Sequence, residues 1–175
     1  METWLRCEQV YKGRIISLWV GDVQLDDGAT ASREVVRHPG GVAIVPVLDD
    51  SVILIRQFRI SIGREILELP AGRLEKNESP EDCARRELEE EIGYHAGKIV
   101  PAVSYYSSVG FTDEKMHIFL AFQLQRVGEN LESDERIQRI DVPIVEIRSM
   151  LANNEFEDSK TIIGLRELLT YIDSA

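Results

Sequence analysis

The segment Ser79–Tyr94, SPEDCARRELEEEIGY, constrains the fold most, because its start, its period and its stop all agree on one helix. Ser79 suits the N-cap, Pro80 the first helical position, and Glu81 and Asp82 the positive end of the helix dipole, while Gly93 supplies the stop. At about 100° per residue, Ala84, Leu88 and Ile92 form an apolar stripe that must face a core. Glu87 and Glu91 stand one turn apart on the adjoining face, with Glu90 on its edge, so the acids border the buried face rather than oppose it. Like charges at this spacing cost a few tenths of a kcal/mol in solvent and more where water is scarce, so a positive partner is expected. Hard divalent cations such as Mg²⁺ or Mn²⁺ favour carboxylate oxygens and commonly link them to a substrate phosphate. Most glutamate runs on helices are nevertheless solvated faces, and this run alone does not carry a metal site.

The segments around the helix read as strands. From Glu8 to about Leu48 the pieces RIISLWV, DVQL, REVV and GVAIVPV lie between turn signals at Lys12-Gly13, Asp26-Asp27-Gly28 and His38-Pro39-Gly40-Gly41, as in an antiparallel meander. SVILIRQFRI continues with another strand and REILELP with a short one. After the helix, strands are expected at about Lys98–Tyr106, Met116–Leu124 and Arg136–Val142, and helices at Ile144–Ala152 and Thr161–Ile172. The polar stretch GENLESDER, 128–136, reads as a solvated loop. This order implies an α+β fold with a mixed sheet between helices.

At 175 residues the chain suits one compact domain rather than two full ones. A net charge of −11 argues against a broad basic surface for nucleic acid or anionic membrane; phosphates would need metal ions or a few placed arginines. Cys7 and Cys83 follow neither a CxxC spacing nor a disulfide framework, which suits a reducing compartment. METWLRCEQV carries charges where a signal peptide needs apolar residues, and no apolar run is long enough to span a bilayer. A cytoplasmic protein is expected.

From Gly72 the chain runs through five spacers to Glu78, then seven spacers to Arg86-Glu87-Leu88-Glu89-Glu90-Glu91-Ile92-Gly93-Tyr94. Seven such fixed identities, each near one in fifteen of average usage, coincide by accident in about one window in 10⁸. The pattern resembles the Nudix box, the loop–helix–loop of hydrolases that cut a nucleoside diphosphate linked to another moiety. The resemblance implies a Nudix α/β/α sandwich, Mg²⁺ (or Mn²⁺) as cofactor with two or more ions per site, and a small-molecule substrate. It makes Glu87 and Glu91 metal ligands, Glu90 a shared or second-metal ligand, and the backbone carbonyl of Ala71 a further ligand, with Glu90 and Glu91 counted in the catalytic set. Gly72, Glu78, Arg86 and Gly93 become structural members: Arg86 pairs with Glu78 or Glu90 to orient the helix, and Glu78 is open between that support and direct ligation.

LIRQFRISIGRE and LELPAGRLEKNE before the box, with VGFTDEKMHIFLA and EDSKTIIGL after it, resemble the ADP-ribose pyrophosphatases of this family. By that resemblance Glu114 is a base or late metal ligand, Arg59 contacts the diphosphate or terminal ribose, and Arg33 and Glu34 help hold the adenosine half, with Arg37 as the alternative. It further implies a homodimer in which residues 1–40 form a small antiparallel sheet that is exchanged, ahead of a hydrolase domain at 41–175. One position departs: Val109 stands where those enzymes usually carry proline, which would stiffen the turn. GDP-mannose or another nucleotide sugar is therefore an alternative substrate to ADP-ribose, and a nucleotide sensor that binds without cutting is the alternative of another class. A basic helix-turn-helix extension, which such a sensor would use on DNA, is not visible.

Overall fold

The computed structural model describes residues 1–128 and 136–174, so the stretch read as a loop at 128–136 falls mostly outside the described residues. The chain divides into two compact units, Met1–Gly40 with Tyr105–Lys115, and Gly41–Ser104 with Met116–Ala175.

In the first unit β1 (Thr3–Lys12), β2 (Ser17–Gln24) and β3 (Thr30–Arg37) form an antiparallel sheet in the order β1-β2-β3. β1 begins five residues before the expected Glu8, because its register with β2 extends to the pair Thr3–Gln24. RIISLWV and DVQL belong largely to one strand, continuous through Gly21, beside which the β1 register shifts between Trp4 and Arg6. A Cβ at Gly21 would lie 2.1 Å from the Arg6 carbonyl oxygen, so this irregular crossing admits only glycine. The 105–115 segment is tied to β3: Val36 N–H donates to the Phe111 carbonyl at 2.7 Å, and the Asp113 carboxylate accepts from Arg37 Nη1 and His38 N–H, each at 2.9 Å.

The second unit is built on a mixed sheet. β4 (Gly41–Leu48) lies between β5 (Ser51–Arg59) and β9 (Lys115–Arg126), with β10 (Ile137–Pro143) beyond β5 and β8 (Tyr94–Tyr106) beyond β9. Short β6 (Arg64–Glu68) pairs with β5, and β7 (Ala71–Arg73) with β4. β4 runs parallel to β9 and antiparallel to β5 and β7. Buried on both faces, β4 explains the unbroken apolar run GVAIVPV. Pro46 fits this central strand because its missing N–H points the same way as that of Ile44, toward the gap where β4 passes from β7 to β5.

α1 (Pro80–Ile92) covers one face, where Cys83, Ala84, Leu88 and Ile92 join Val42 and Ile44 in the core. Each fully buried Leu or Ile there contributes roughly 1.5–3 kcal/mol. α3 (Ser159–Asp173) covers the other face, so near the sheet that a Cβ at Gly164 would stand 2.6 Å from Leu69 and 3.0 Å from Val45. α2 (Ile144–Ala152) packs on β10 and α3. The expected α+β sandwich with a mixed sheet and a preceding small antiparallel sheet is thus the observed fold. Its details differ: α3 starts at Ser159 rather than Thr161, because Asp158 caps it, and β8 starts at Tyr94, directly after the Gly93 stop. Among the described residues no helix is long and apolar enough to cross a membrane.

Candidate active site

The ends of α1 are fixed by local chemistry. Ser79 Oγ accepts from Asp82 N–H at 3.1 Å, Pro80 opens the helix, and Gly93 closes it at φ +73° with its N–H on the Glu89 carbonyl. With the apolar stripe docked on β4, the acidic row lands on β7. Glu87 then lies against Gly72 so closely that a Cβ there would stand 1.7 Å from the Glu87 carboxyl carbon. Glu91 Oε2 accepts from the Ala71 N–H at 2.9 Å. Both residues are buried, at 8% and 6% exposure overall.

Arg86 lies among the acids. Its Nε and Nη2 donate to Glu78 at 2.8 and 3.1 Å, and Nη1 donates to Glu87 at 2.7 Å and Glu90 at 2.8 Å. The Arg86 hydrogen bonds hold the Glu78 carboxyl down at about 2, and the same bonds, Glu78 first, raise the guanidinium further above its ordinary value. Burial, followed by the neighbouring Glu78, pushes the Cys83 thiol up to about 12, so it stays a protonated core residue rather than a nucleophile.

Ala71, Gly72, Glu78, Arg86, Glu87, Glu90 and Glu91 are therefore gathered in one place, with Gly93 setting the end of the helix. Arg59 belongs to the same unit, on the wall of a cleft of about 700 Å³, and forks onto Glu68 at 2.6 and 2.9 Å. Arg33, Glu34, Arg37 and Glu114 belong to the other unit. Arg33 pairs with Glu2, Glu34 is exposed, and Arg37 pairs with Asp113. Glu114 has its N–H on Thr112 Oγ1 and its carbonyl on Ser107 N–H, with its carboxylate 3.5 Å from His38 Nδ1. That nitrogen accepts from Gly40 N–H at 3.0 Å, so in this arrangement it is a lone-pair acceptor and the His38–Glu114 approach is not an Nδ1–H bond.

The profile of the NUDIX domain matches residues 37–163. The chain belongs to the Nudix family. Among the relatives of this Nudix hydrolase, an ADP-ribose pyrophosphatase of Bacillus subtilis (strain 168) is 42% identical over 164 residues, 92% of this chain and 89% of that protein. A methanol dehydrogenase activator of Bacillus methanolicus is 36% identical over 170 residues, 95% and 92% of the two chains. A GDP-mannose pyrophosphatase of Citrobacter koseri is 35% identical over 155 residues, 82% and 78%. The crystal structure of an ADP compounds hydrolase superposes with a TM-score of 0.89 over 99% of this chain and 95% of that one, at 22% identity, and so shows the shared fold.

Nudix hydrolases generally use divalent metal ions, and the donor set here suits one. Arg86 offers a single positive charge to three carboxylates, Glu78, Glu87 and Glu90, and Glu91 adds a fourth beside the Ala71 backbone. Hard oxygen donors in excess over cationic charge fit Mg²⁺ or Mn²⁺. Among the described residues no three His, Cys, Asp or Glu side chains converge into a ready-made cage, as expected while Arg86 holds Glu87 and Glu90.

Reading the sequence missed three further groups: Asp113, which anchors Arg37; Glu68, the buried partner of Arg59; and Lys160, which shares Glu68. Glu68 alone left a trace, as a carboxylate within the otherwise apolar ILELP.

Proposed function

We propose that this Nudix hydrolase cleaves the diphosphate of a nucleoside diphosphate sugar with Mg²⁺ as cofactor, and that ADP-ribose is the substrate, giving AMP and ribose 5-phosphate. The observation that carries the reading is the set of three carboxylates on the Arg86 guanidinium, with a fourth, Glu91, on the Ala71 N–H, where α1 meets β7 at Gly72. The 42% identity to an ADP-ribose pyrophosphatase supports the choice of substrate.

Glu87, Glu90, Glu91 and the Ala71 carbonyl would hold the ions, two or more of them, with Mn²⁺ as a substitute. When bound, the ions neutralise the diphosphate and make water a better nucleophile at neutral pH. Arg86 keeps α1 and its glutamates in register, with Glu78 either its anchor or a further ligand. Arg59 binds the diphosphate or the terminal ribose, and Glu114 accepts the proton of the attacking water or serves as a late ligand. Arg33 and Glu34, or Arg37, hold the adenosine half. Water adds across one P–O bond of the bridge: the attacked phosphorus takes the hydroxyl, and the other phosphate leaves with the bridging oxygen, so that both products are phosphomonoesters.

Residues 1–40 serve as a dimerisation segment and 41–175 as the hydrolase domain. β1 is exposed along all ten residues, including Trp4, Leu5, Val10 and Tyr11, a surface that a second copy of the chain would cover. Light scattering should give a dimer mass; a fully active monomer would overturn the shared site. The free thiols Cys7 and Cys83 suit the cytoplasm.

A second reading within the same chemistry is GDP-mannose, favoured by Val109 in the loop before Glu114 and by the Citrobacter koseri relative. A sensor that binds without cutting needs no complete set of box acids, and all of them are present here. Incubating a panel of nucleoside diphosphate derivatives with Mg²⁺, followed by chromatography, tests all three. AMP and ribose 5-phosphate from ADP-ribose are expected; GMP and mannose 1-phosphate would select the second reading, and no turnover of any compound would favour the sensor.

A further inference from the structure

At the end of β6, Glu68 is 1% exposed, a carboxylate taken almost wholly out of water. A buried charge persists only when it is well paired, and Glu68 has two cations. Arg59 donates through Nε to Oε1 at 2.6 Å and through Nη2 to Oε2 at 2.9 Å, and Lys160 Nζ donates to the same Oε2 at 2.5 Å. Lys160 comes from the first turn of α3, 92 residues along the chain, and is held in turn by Asp158 at 3.1 Å.

The same turn grips the next residue. Asp158 caps α3 by accepting from Thr161 N–H at 2.9 Å and from Thr161 Oγ1 at 2.6 Å, while Thr161 Oγ1 accepts from Leu69 N–H at 2.9 Å. Beyond it, the Pro70 carbonyl accepts from Ile44 N–H at 2.9 Å, and Ala71 N–H reaches Glu91 at 2.9 Å. Every residue from Glu68 to Ala71 is thus anchored, and α3 fixes the first two. The Arg59–Glu68 pair uses Nε and Nη2 and leaves Nη1 outside it, on a side chain 37% exposed at the cleft wall.

We propose that Lys160 is a positioning residue of this hydrolase: by sharing the buried Glu68 carboxylate with Arg59, it fixes the Arg59 guanidinium in the orientation that receives the substrate diphosphate. With Asp158 counted, the four groups sum to zero charge. Lys160 therefore acts on where Arg59 points rather than by adding attraction for an anion. The inference rests on the reading of Arg59 as a substrate-binding residue.

The test is steady-state kinetics with ADP-ribose and Mg²⁺ on Lys160→Met, Lys160→Gln, Lys160→Arg, Arg59→Met and Arg59→Met/Lys160→Met. Loss of such a supporting contact costs about tenfold or more. KM of Lys160→Met and Lys160→Gln should rise by about that factor with kcat little changed, and Lys160→Arg should recover most of the loss. The double variant should be no worse than Arg59→Met alone, because Lys160 then has nothing to position. An impaired Arg59→Met beside a normal KM in Lys160→Met, or losses that multiply in the double variant, would overturn the proposal alone. A normal KM in Arg59→Met would remove the reading of Arg59 and the proposal with it.

Discussion

Replacing Arg86 by Met removes the cation that holds Glu78, Glu87 and Glu90 together, and the structure sets the size of the effect. Four bonds to carboxylates are lost, two to Glu78 and one each to Glu87 and Glu90, besides longer ones at 3.3 Å to the Arg73 carbonyl and Cys83 Sγ. At about 1.5–3 kcal/mol apiece the four would sum to roughly 6–12 kcal/mol. Such a sum overstates the loss, because the bonds share one side chain and Glu90, with 32% of its side chain exposed, can rehydrate. Glu87, at 11%, cannot do so fully and is left beside like charges. The expected cost in EDTA is therefore about 3 kcal/mol, the lower end for breaking a buried pair. For a chain of this length that is a drop in Tm of roughly 6–12 °C. Divalent ions should restore much of it, since at a hundredfold excess over Kd binding stabilises the native state by about 2.7 kcal/mol. The assay is urea unfolding of wild type and Arg86→Met in EDTA and in Mg²⁺, with Arg85→Met as control. Arg85 pairs with the exposed Glu81 and bonds the Ala96 carbonyl, so its loss should cost less, about 1 kcal/mol. Equal losses for the two variants in EDTA, or a loss at Arg86 that Mg²⁺ leaves untouched, would refute the reasoning.

Gly72→Ala places a methyl 1.7 Å from the Glu87 carboxyl carbon, so Glu87 must swing away or β7 must shift. Turnover in Mg²⁺ should fall by about 10²-fold, with a smaller change in urea midpoint measured in EDTA; an unchanged kcat would show that Glu87 is dispensable where it lies. The Glu78 carboxyl, held at about 2 chiefly by Arg86, sets a pH dependence. A depressed carboxylate adds stability that is present above its unfolded value of 4.5 and is lost as pH falls toward 2. After allowing for solvent screening this contributes about 1–2 kcal/mol. Glu78→Gln should remove that part of the acid dependence in urea titrations between pH 5 and about 2.5, and a profile parallel to wild type would contradict the assignment.

Local chemistry made the central helix legible: Ser79, Pro80 and Gly93 occupy the cap, first-turn and stop positions at which they were read. The apolar stripe of α1 and the continuous run of β4 were legible because both are buried by many neighbours. β7 was not, since three residues, one of them glycine, carry no alternation and become a strand only by pairing with β4. The early start of β1 was hidden by its charges, which remain exposed. Within the site, spacing on one helix placed Glu87, Glu90 and Glu91 together. The resemblance offered Glu78 or Glu90 as the partner of Arg86, but nothing foretold that Arg86 bonds both and Glu87 as well, or that Arg59 meets Lys160 through Glu68. Those pairings join elements up to 92 residues apart and depend on how the two faces of the sheet are covered.

The claim on which the functional reading depends is that the crowded glutamates of α1 hold divalent ions. Calorimetric titration of Mn²⁺ into the metal-free protein, with and without a non-hydrolysable ADP-ribose analogue, tests it directly. Binding that tightens with the analogue, and is lost in Glu87→Gln/Glu91→Gln while the variant remains folded, is the expected result. Equal Mn²⁺ binding by wild type and the double variant would contradict the account.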